Sequence, residues 1–334
     1  MKKVSKFSKN INDIFNLKKD LIKNNQVNLK NTLKINKEYK KLKLRKNCII
    51  CNFALKKKDF VSHQIAYSIC RKCNHLNGLH LMDNKFNENI YSSNEGKNFS
   101  SKYAKNYTER VKNIYLPKVK FMKTVLKKKI EILDFGCGAG HFVKGCEIFG
   151  IKATGIDPNQ DLIIKGSRYL KKNSIKKLNF NESIDEILTT KADLISLIFV
   201  LEHLENPNKI FHAFKKSNAK YLYASVPLFS LSVLIENIFQ KIYPRQLGGP
   251  HTNLYSKESL EFIAKKYNFK IIGEWWFGTD FSDLYRNLII SSNYKTQFYK
   301  GKFDSLFLKQ INDLQSVLDK AKLCSEIHLI FKKN

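Results

Sequence analysis

The stretch that decides the fold is EILDFGCGAGHFVKGCEIFGIKATGIDPN, residues 131–159. The apolar strand pattern EILDF leads into a glycine-rich turn, and a helical pattern follows before a second strand pattern that ends on Asp157. This order predicts a β-α-β unit. Because glycines carry no side chain, the turn can bring the backbone close to a nucleotide-like ligand.

Strand and helix patterns continue to alternate after this unit, which predicts an α/β fold with a doubly wound, seven-stranded, mostly parallel sheet. One helix is expected over Ser305–Lys322, between the last two strands. The seven strand patterns are EILDF, KATGID, KKLNF, ADLISLIF, YLYASV, FKIIGEWW and EIHLIFKK.

The glycine turn, formed by Gly136, Gly138 and Gly140, has the spacing G-x-G-x-G. A dinucleotide fingerprint places its third glycine one residue later, where this chain has His141. A P-loop ends in Lys followed by Ser or Thr, and neither pair follows these glycines. The turn therefore excludes a P-loop and disfavours a dinucleotide site.

Three motifs in order, DFGCGAG, GIDPN and ADLISLIFVLEHLENP, resemble the class I S-adenosylmethionine-dependent methyltransferases. The resemblance covers most of residues 130–333 and implies a Rossmann-like methyltransferase fold with S-adenosylmethionine as cofactor. It implies that the three glycines contact the methionine part of the cofactor. It also implies that Asp134 holds the ammonium group or orders the turn, and that Asp157, followed by Pro158, accepts hydrogen bonds from the ribose hydroxyls.

By the same resemblance, the adenine lies near the end of the third strand, at Glu182 and Ser183, and beneath Phe199 after the fourth strand. A second interpretation is equally open at the first of these places. Residues 181–183 could cap a helix that begins at Ile184.

The methyl acceptor is expected at LEHLENP, the loop after the fourth strand, because ligands of open α/β sheets bind beyond the carboxyl ends of the strands. His203 is the candidate general base, Glu202 is its orienting neighbour, and His251 in GGPHTN is a second candidate. Alternatively, Glu202 and His203 only cap or pack the next helix, and His251 lies in a surface turn before a helix capped by Ser256.

Four cysteines form a separate motif, with Cys48 and Cys51 in NCIICN and Cys70 and Cys73 in ICRKCN. The spacing C-x2-C, eighteen residues, C-x2-C is typical of a four-thiolate zinc site. Such a site has no open coordination position, so a structural role for the zinc is predicted.

A four-cysteine module that is joined through a helix to this fold resembles bacterial methyltransferases with an N-terminal zinc-binding region, of the sugar C-methyltransferase type. The joining segment has Tyr107 and Arg110 at helical spacing, where they could close over the cofactor. The resemblance implies a small, carbohydrate-like acceptor, such as a nucleotide sugar or a surface-glycan precursor. For the aromatic run at residues 274–290 we favour core packing over a role in this site.

The expected organisation is a basic arm at 1–46 that is helical or disordered, a zinc-binding module at 47–90, a helical linker over the cofactor site at 91–129, and the methyltransferase domain at 130–334. Residues 228–250 are interpreted as a lid or a partner surface. The chain has no signal-peptide pattern and no uninterrupted apolar span, so a cytoplasmic location is expected.

The formal net charge of +31 raises the question of nucleic-acid binding. We interpret it first as composition, because the excess of Lys accompanies abundant Asn and Ile along the whole chain. The alternative function is an RNA methyltransferase that uses the basic arm and the zinc module for binding. A non-catalytic adaptor is disfavoured, because such a protein has no physical need of the glycine turn, Asp134 and Asp157.

Overall fold

The computed structural model describes residues 2–12, 20–83, 86, 90, 106–249, 251–292 and 296–334. The strands are β1 (Val4–Phe7), β2 (Phe60–Ser62), β3 (Ile65–Ile69), β4 (Leu76–Gly78), β5 (Ile132–Phe135), β6 (Ala153–Asp157), β7 (Ile175–Lys177), β8 (Leu194–Ile198), β9 (Tyr221–Pro227), β10 (Asn253–Leu254), β11 (Phe269–Phe277) and β12 (Glu326–Lys333).

The helices alternate with the strands from β5 to β11, and three helices lie between β11 and β12. A π-helical turn (Val111–Tyr115) separates α3 from α4, and a 3-10 turn (Leu201–His203) follows β8. The α-helices are α1 (Asp20–Lys23), α2 (Asn25–Tyr39), α3 (Tyr107–Arg110), α4 (Leu116–Leu126), α5 (His141–Ile148), α6 (Gln160–Ser167), α7 (Phe180–Thr189), α8 (Pro207–Lys216), α9 (Leu231–Ile238), α10 (Lys257–Tyr267), α11 (Asp280–Ser291), α12 (Gln297–Phe307) and α13 (Ile311–Lys320).

The large sheet has the strand order β1-β11-β12-β9-β8-β5-β6-β7. Only β12 runs antiparallel to its neighbours in this sheet. The order reverses at β5, so the carboxyl ends of β5 and β8 open a crevice where ligands of doubly wound sheets bind. The predicted α/β fold and its seven strands are confirmed.

Both faces of this sheet are covered, as the continuous apolar strands require. Neighbouring residues pack into opposite core clusters: Ile132 and Tyr223 face one cluster, whereas Leu133 and Leu222 face the other. This two-sided burial fixes the directions of the strands and hence the position of the turn that follows β5.

An eighth strand, β1, extends the sheet from the segment that the sequence predicts to be helical or disordered. It runs parallel to β11, with Ser5 opposite Glu274. The Ser5 hydroxyl donates to the Glu274 carboxylate at 2.9 Å, and the indole of Trp275 donates to the backbone oxygen of Ser8 at 3.0 Å. The four residues VSKF are too few to give a strand pattern by themselves, so the partner strand decides their conformation. Residues 13–19 of the arm lie outside the described residues.

A smaller sheet, with the order β10-β4-β3-β2, carries the cysteine motif. Its strand β10 comes from far along the chain, beyond the 47–90 interval that the sequence predicts for this module. Cys48 and Cys73 share a core cluster with Phe211 and Tyr267 of the large domain. The two predicted domains therefore share one core.

Several element boundaries differ from the prediction. The predicted strand KKLNF corresponds to β7, which covers only Ile175–Lys177, because Phe180 already belongs to α7. That helix begins four residues before Ile184, its predicted first residue. Residues 305–322 belong to two helices, since α12 ends at Phe307 and α13 begins at Ile311.

Two of the predicted segments are only partly described. Residues 91–105 of the predicted linker lie outside the described residues, and its remainder contains α3, the π-helical turn and α4. The segment at 228–250 contains α9. Within the described part of the chain, no helix has both the length and the apolar character that crossing a membrane requires.

Gly166 on α6 gives a test of how closely this helix packs on the glycine turn. A Cβ atom at Gly166 would overlap the carbonyl group of Ala139 and lie 2.8 Å from its Cα. We expect Gly166→Ala to lower the free energy of unfolding by about 1–3 kcal/mol, because backbone atoms must move apart. Urea denaturation measures the change.

The matched control is Gly301→Ala on α12, where a Cβ atom meets nothing within 4 Å. There the substitution should be neutral or stabilise the protein by up to about 1 kcal/mol, since Ala favours a helix over Gly. Equal stability of Gly166→Ala and the unsubstituted protein would contradict the close packing.

Candidate active site and cysteine cluster

The glycine turn directly follows β5 at the crevice. Gly136, Gly138 and Gly140 all have positive φ angles, of 71°, 55° and 71°. These backbone angles favour glycine, so a side chain at any of the three positions would strain the turn. A Cβ atom at Gly136 would also lie 2.6 Å from a methyl carbon of Val200, the residue after Phe199. The backbone of the turn thus favours glycine at all three positions, and their contact with the cofactor stays a prediction.

Asp157 ends β6 beside this turn and is 9% exposed. Its two carboxylate oxygens accept hydrogen bonds from the backbone N–H groups of Gly138 and Asn159, each at 2.8 Å. Burial raises the pKa of Asp157 to about 6. Each oxygen has further lone pairs, so the carboxylate can order the turn and still accept from a ligand hydroxyl. Pro158 is exposed on the next position.

Asp134 lies within β5 and is 2% exposed. The hydroxyl of Ser196 on β8 donates to its carboxylate at 2.6 Å. Burial raises the pKa of Asp134 to about 7. A buried carboxyl with one hydrogen-bond donor is costly to ionise, and such groups concentrate at binding sites.

The segment after β7, where the adenine is predicted to lie, caps the N-terminus of α7. The Asn179 side chain accepts from the backbone N–H of Glu182 at 3.0 Å, and Glu182 accepts from the backbone N–H of Asn179 at 2.7 Å. This is a capping box for α7. The cap residue is Asn179 rather than residues 181–183, and Ser183 is buried in the first turn. Whether Glu182 and Ser183 also contact adenine stays a prediction.

Phe199 follows β8 with a φ angle of +57°, which is uncommon for a non-glycine residue. Its backbone N–H donates to the backbone oxygen and the hydroxyl of Ser225, each at 3.1 Å. Strained backbone of this kind clusters at functional sites.

Lys118 on α4 lies against Phe199, and the sequence analysis does not identify it as a site residue. Its ammonium nitrogen is 4.6 Å from the centre of the Phe199 ring and 5.1 Å from that of Tyr115. The side chain is 2% exposed, and burial lowers the pKa of Lys118 to about 8. The available sequence signal is a lysine in the apolar stripe of LPKVKFM.

The three predicted catalytic residues, Glu202, His203 and His251, lie together, and we call them the Glu-His-His cluster. Their candidate ligand atoms all lie within 4.8 Å of one another. The two imidazole rings are 4.6 Å apart, and the His203 Nε2 atom is 3.9 Å from a Glu202 carboxylate oxygen. Glu202 is 0% exposed, and burial raises its pKa to about 8. Chain positions 202 and 251 thus meet in one polar site.

The small sheet holds His251 in this place. Two residues after His251, β10 begins and pairs with β4. The Gly78 backbone N–H donates to the Thr252 backbone oxygen at 2.6 Å. Tyr255 then donates to the Leu201 backbone oxygen at 3.4 Å, which ties the same segment to the 3-10 turn. The predicted Ser256 cap of α10 is present as well.

The four cysteines of the motif form one cluster, with all sulfur atoms within 4.8 Å of one another. Cys48 and Cys73 are 3.6 Å apart at sulfur, and Cys51 and Cys70 are 3.4 Å apart. Four sulfurs around one ion at about 2.3 Å would lie about 3.8 Å apart, so the cluster has the size of a tetrahedral metal site.

The cysteine cluster packs on the large domain through backbone carbonyl groups. Asn208 on α8 donates to the backbone oxygen of Ile49 at 2.7 Å, and Lys266 on α10 donates to that of Ile50 at 3.2 Å. His75, fully buried, stacks edge-on against Tyr255 at 4.8 Å. The metal candidate is therefore linked to the Glu-His-His cluster through Tyr255.

The joining segment and the aromatic run both pack within the fold, and closure of Tyr107 and Arg110 over the cofactor stays a prediction. Tyr107 stacks between Tyr169 at 4.0 Å and His141 at 4.3 Å, which fixes α3 against α5. In the aromatic run, Trp275 and Trp276 are 1% exposed, in agreement with core packing.

Asp134 gives a pH-dependent prediction. Because its folded pKa of about 7 exceeds the ordinary 3.8, the stability from this group is complete below pH 3.8 and is lost as pH rises towards 7. Asp134→Asn stays neutral and keeps an oxygen for Ser196. We expect it to raise the free energy of unfolding by about 2 kcal/mol at pH 8 and by less at pH 5.

Urea denaturation of the ligand-free protein at the two pH values measures this difference. An equal gain at both values, or a loss at pH 8, would show that the folded protein does not raise the pKa of Asp134.

Comparison with known proteins supports a family assignment. The ubiquinone biosynthesis O-methyltransferase of Rickettsia felis is 37% identical over 79 residues, which are 23% of this chain and 32% of the relative. The mitochondrial enzyme of that name from Saccharomyces cerevisiae is 28% identical over 157 residues, 42% of this chain and 49% of the relative. The chain thus spans about a third to a half of the length of these relatives.

The matches among solved structures include an S-adenosylmethionine-dependent methyltransferase from Archaeoglobus fulgidus, with 20% identity and a TM-score of 0.42. It covers 65% of this chain and 92% of its own. The magnesium protoporphyrin IX methyltransferase of Synechocystis PCC 6803 has 12% identity and a TM-score of 0.46, over 75% and 100% of the two chains.

A family model described as a methyltransferase domain matches residues 107–274, which is half of the 334-residue chain. The match includes the glycine turn, Asp157 and the loop after β8. It confirms the resemblance that the three sequence motifs carry. The chain belongs to the methyltransferase domain family.

Proposed function

We propose that this protein transfers the methyl group of S-adenosylmethionine to a hydroxyl group of a small, carbohydrate-like acceptor. The observation that carries the proposal is the Glu-His-His cluster, which follows β8 at the same edge of the sheet as the glycine turn. The glycine turn and the acid-base candidates therefore follow neighbouring parallel strands at one edge of the sheet, which would let a methyl group and an acceptor meet in line.

The residues around the turn fit the cofactor. The three positions with positive φ angles are glycines, whose lack of a side chain lets the methionine part approach the backbone. Asp157 binds the ribose hydroxyls, and Asp134 orders the turn or meets the ammonium group. S-adenosylmethionine supplies an electrophilic methyl group on a sulfonium, so the protein has only to position the acceptor and remove its proton.

His203 accepts the proton of the acceptor hydroxyl. At the same time the acceptor oxygen forms its bond to the methyl carbon, and the carbon–sulfur bond of the cofactor breaks. Glu202 orients the imidazole ring, from which it is 3.9 Å away. The Lys118 ammonium, buried beside Phe199, favours negative charge on the reacting oxygen. Its contribution needs no movement, because α4 fixes it before the acceptor arrives.

An aromatic hydroxyl acceptor is the second candidate. It is favoured by the names of the Rickettsia and yeast relatives, which are ubiquinone biosynthesis O-methyltransferases. An RNA acceptor is the third candidate and is supported only by the net charge of +31. All three acceptor classes carry a hydroxyl group that the Glu-His-His cluster could deprotonate.

The test uses purified full-length protein, S-adenosylmethionine with an isotopically heavy methyl group, and three acceptor pools. The pools are nucleotide sugars, hydroxylated quinone precursors and total RNA, with mass spectrometry of the products. We expect label on a sugar oxygen. Label in the second or third pool would overturn the acceptor class, and no label in any pool, with no cofactor binding by calorimetry, would overturn the enzyme.

Two variants separate binding from chemistry. Asp157→Ala should weaken cofactor binding about ten- to hundredfold, the value of a charge-assisted hydrogen bond. His203→Ala should bind the cofactor normally and lower turnover about a hundredfold. His212→Ala, on the exposed face of α8, is the matched control and should change neither quantity. Unchanged turnover of His203→Ala would remove this residue from the mechanism.

The four cysteines hold one zinc ion with a structural role, which their sulfur separations support. A zinc ion held by the four cysteines would fix the residues before β4, and β4 pairs with β10, which follows His251. The reducing cytoplasm, where we place the protein, keeps such thiols available for metal.

We expect Cys70→Ser to contain one zinc fewer per chain than the unsubstituted protein, as measured by elemental analysis. Its turnover should fall at least tenfold while cofactor binding persists, because His251 loses its support. Cys324→Ser, a buried cysteine outside the cluster, should keep the full zinc content. Equal zinc content in Cys70→Ser would disprove the site.

A further inference from the structure

Lys118 is a buried cation that forms no ion pair with a carboxylate in the described part of the chain. Its side chain is 2% exposed, and its ammonium nitrogen lies over the rings of Phe199 and Tyr115. Glu326 is the carboxylate with the strongest electrostatic effect on Lys118, but it pairs with His328 at 2.8 Å. Aromatic faces offset only part of the cost of burying a cation. The ammonium can therefore bind an anion that enters the crevice.

Glu326 lies at the ligand-binding edge of the large sheet. It is the first residue of β12, and it lies opposite Pro227 at the end of β9 and Phe277 at the end of β11. Since β9 and β11 run in the direction of β8, these ends lie at the same edge as the loop after β8. The Glu326 side chain is 16% exposed, so a dissolved ligand can reach this position.

The basic arm contributes a second cation at the same edge. β1 runs parallel to β11, and after its last residue the backbone N–H of Ser8 donates to the Trp276 backbone oxygen at 2.9 Å. The next residue, Lys9, is partly buried, and its ammonium nitrogen is 5.5 Å from the centre of the Phe277 ring. The backbone N–H of Ile11 donates to a side chain of α13 at 2.9 Å. The arm is thus held in place on both sides of Lys9.

The two ammonium groups flank one imidazole ring. The ring of Phe199, beside the Lys118 ammonium, is 6.3 Å from the ring of His328. The ring of Phe277, beside the Lys9 ammonium, is 5.3 Å from the same imidazole. Residues from α4 and from the start of the chain therefore meet around one position of β12.

We call Lys9, Lys118 and Glu326 the Lys-Lys-Glu cluster, and its charges do not cancel. Burial acts to raise the pKa of Glu326, but the hydrogen bond from His328 and the two ammonium charges lower it to about 2. Burial lowers the pKa of His328 to about 4, so this ring is neutral near pH 7. Two cations therefore face one anion, and one positive charge remains.

On the basis of the methyl-transfer function above, we propose that the acceptor carries a carboxylate or phosphate group, which Lys118 and Lys9 bind. Ammonium groups bind both anions as point charges, so the cluster recognises negative charge rather than one fixed geometry. The acceptor class narrows to a sugar acid or sugar phosphate among carbohydrates, and to a hydroxylated acid among aromatic compounds. The basic arm then takes part in recognition of the acceptor.

Binding of this kind has a kinetic signature. An ammonium that holds a group already charged before the reaction strengthens acceptor binding and so lowers the KM. An ammonium that acts only on charge developing on the reacting oxygen changes kcat and leaves the KM unaltered. Loss of either lysine is therefore expected to raise the KM for an acidic acceptor.

The test measures binding and does not depend on methyl transfer. Glucose, glucuronate and glucose 6-phosphate form one matched set, and catechol and dihydroxybenzoate form a second. Each is titrated into the full-length protein saturated with S-adenosylhomocysteine, and nuclear magnetic resonance gives the dissociation constants. We expect an acidic member to bind about tenfold or more tightly than the neutral member of its set. The preferred anion distinguishes carboxylate from phosphate.

Lys118→Met and Lys9→Met should each reduce this preference to about threefold or less, because Met keeps an apolar stem and lacks the charge. Lys270→Met is the matched control, exposed at the opposite end of β11, and should keep the preference. Calorimetric binding of S-adenosylmethionine with unchanged affinity shows that each variant is folded.

Equal binding of neutral and acidic members in both sets, or a preference that survives in either variant, would overturn the anion site. Weaker S-adenosylmethionine binding by Lys118→Met with the preference retained would assign this cation to the cofactor and overturn the site as well. Methyl transfer to a neutral acceptor with an unchanged KM in Lys118→Met would do the same and leave the proposed function standing. Selective anion binding without methyl transfer to any pool would instead overturn the proposed function.

Discussion

The pairing of β10 with β4 is the interaction on which the arrangement of the site depends. Two strands of two and three residues join a module near the start of the chain to a segment nearly two hundred residues later. Short strands pair weakly by themselves, so this pair needs support from its surroundings. The cysteine cluster on one side and the core beneath Tyr255 on the other supply that support. The cysteine-containing module thus holds in place the loop of the large domain that carries His251.

Three buried carboxyl groups lie along the crevice. Asp134, Asp157 and Glu202 are all less than a tenth exposed, and burial raises the pKa of each. A protein that had only to be stable would replace these carboxyls with apolar groups. Their placement on three neighbouring positions of one sheet edge is the expected cost of a site that recognises polar and cationic ligands.

The sequence predicts the large sheet well because its signals are local. Each strand is a short apolar run, and the glycines at 136, 138 and 140 have the spacing that a tight turn needs. The cysteine spacing is equally direct. By contrast, β1 and β10 form because distant partners complete them, and neither VSKF nor NL carries a strand signal.

The same distinction between local signals and distant contacts explains which site residues could be predicted from the sequence. Lys118 lies in a helix whose apolar stripe looks like ordinary core, and only its contact with Phe199 reveals its position. The contact between His251 and Glu202 depends on where a loop crosses the sheet edge. The hydrophobic periodicity of the sequence does not predict this position. The helix cap at Asn179 could have been predicted from the sequence, because an Asn followed three residues later by Glu is a capping signature.

The edge strand β1 also affects how the protein behaves in a crowded solution. Without it, the long apolar strand β11 would present an open row of backbone donors and acceptors. Such an edge is a template on which other chains can add strands, and it leads to aggregation. Lys3 and Lys6 on and beside β1 place positive charge there, and Glu274 holds Lys3 and Lys322 in ion pairs. The first few residues therefore act as a protective cover that keeps neighbouring molecules apart.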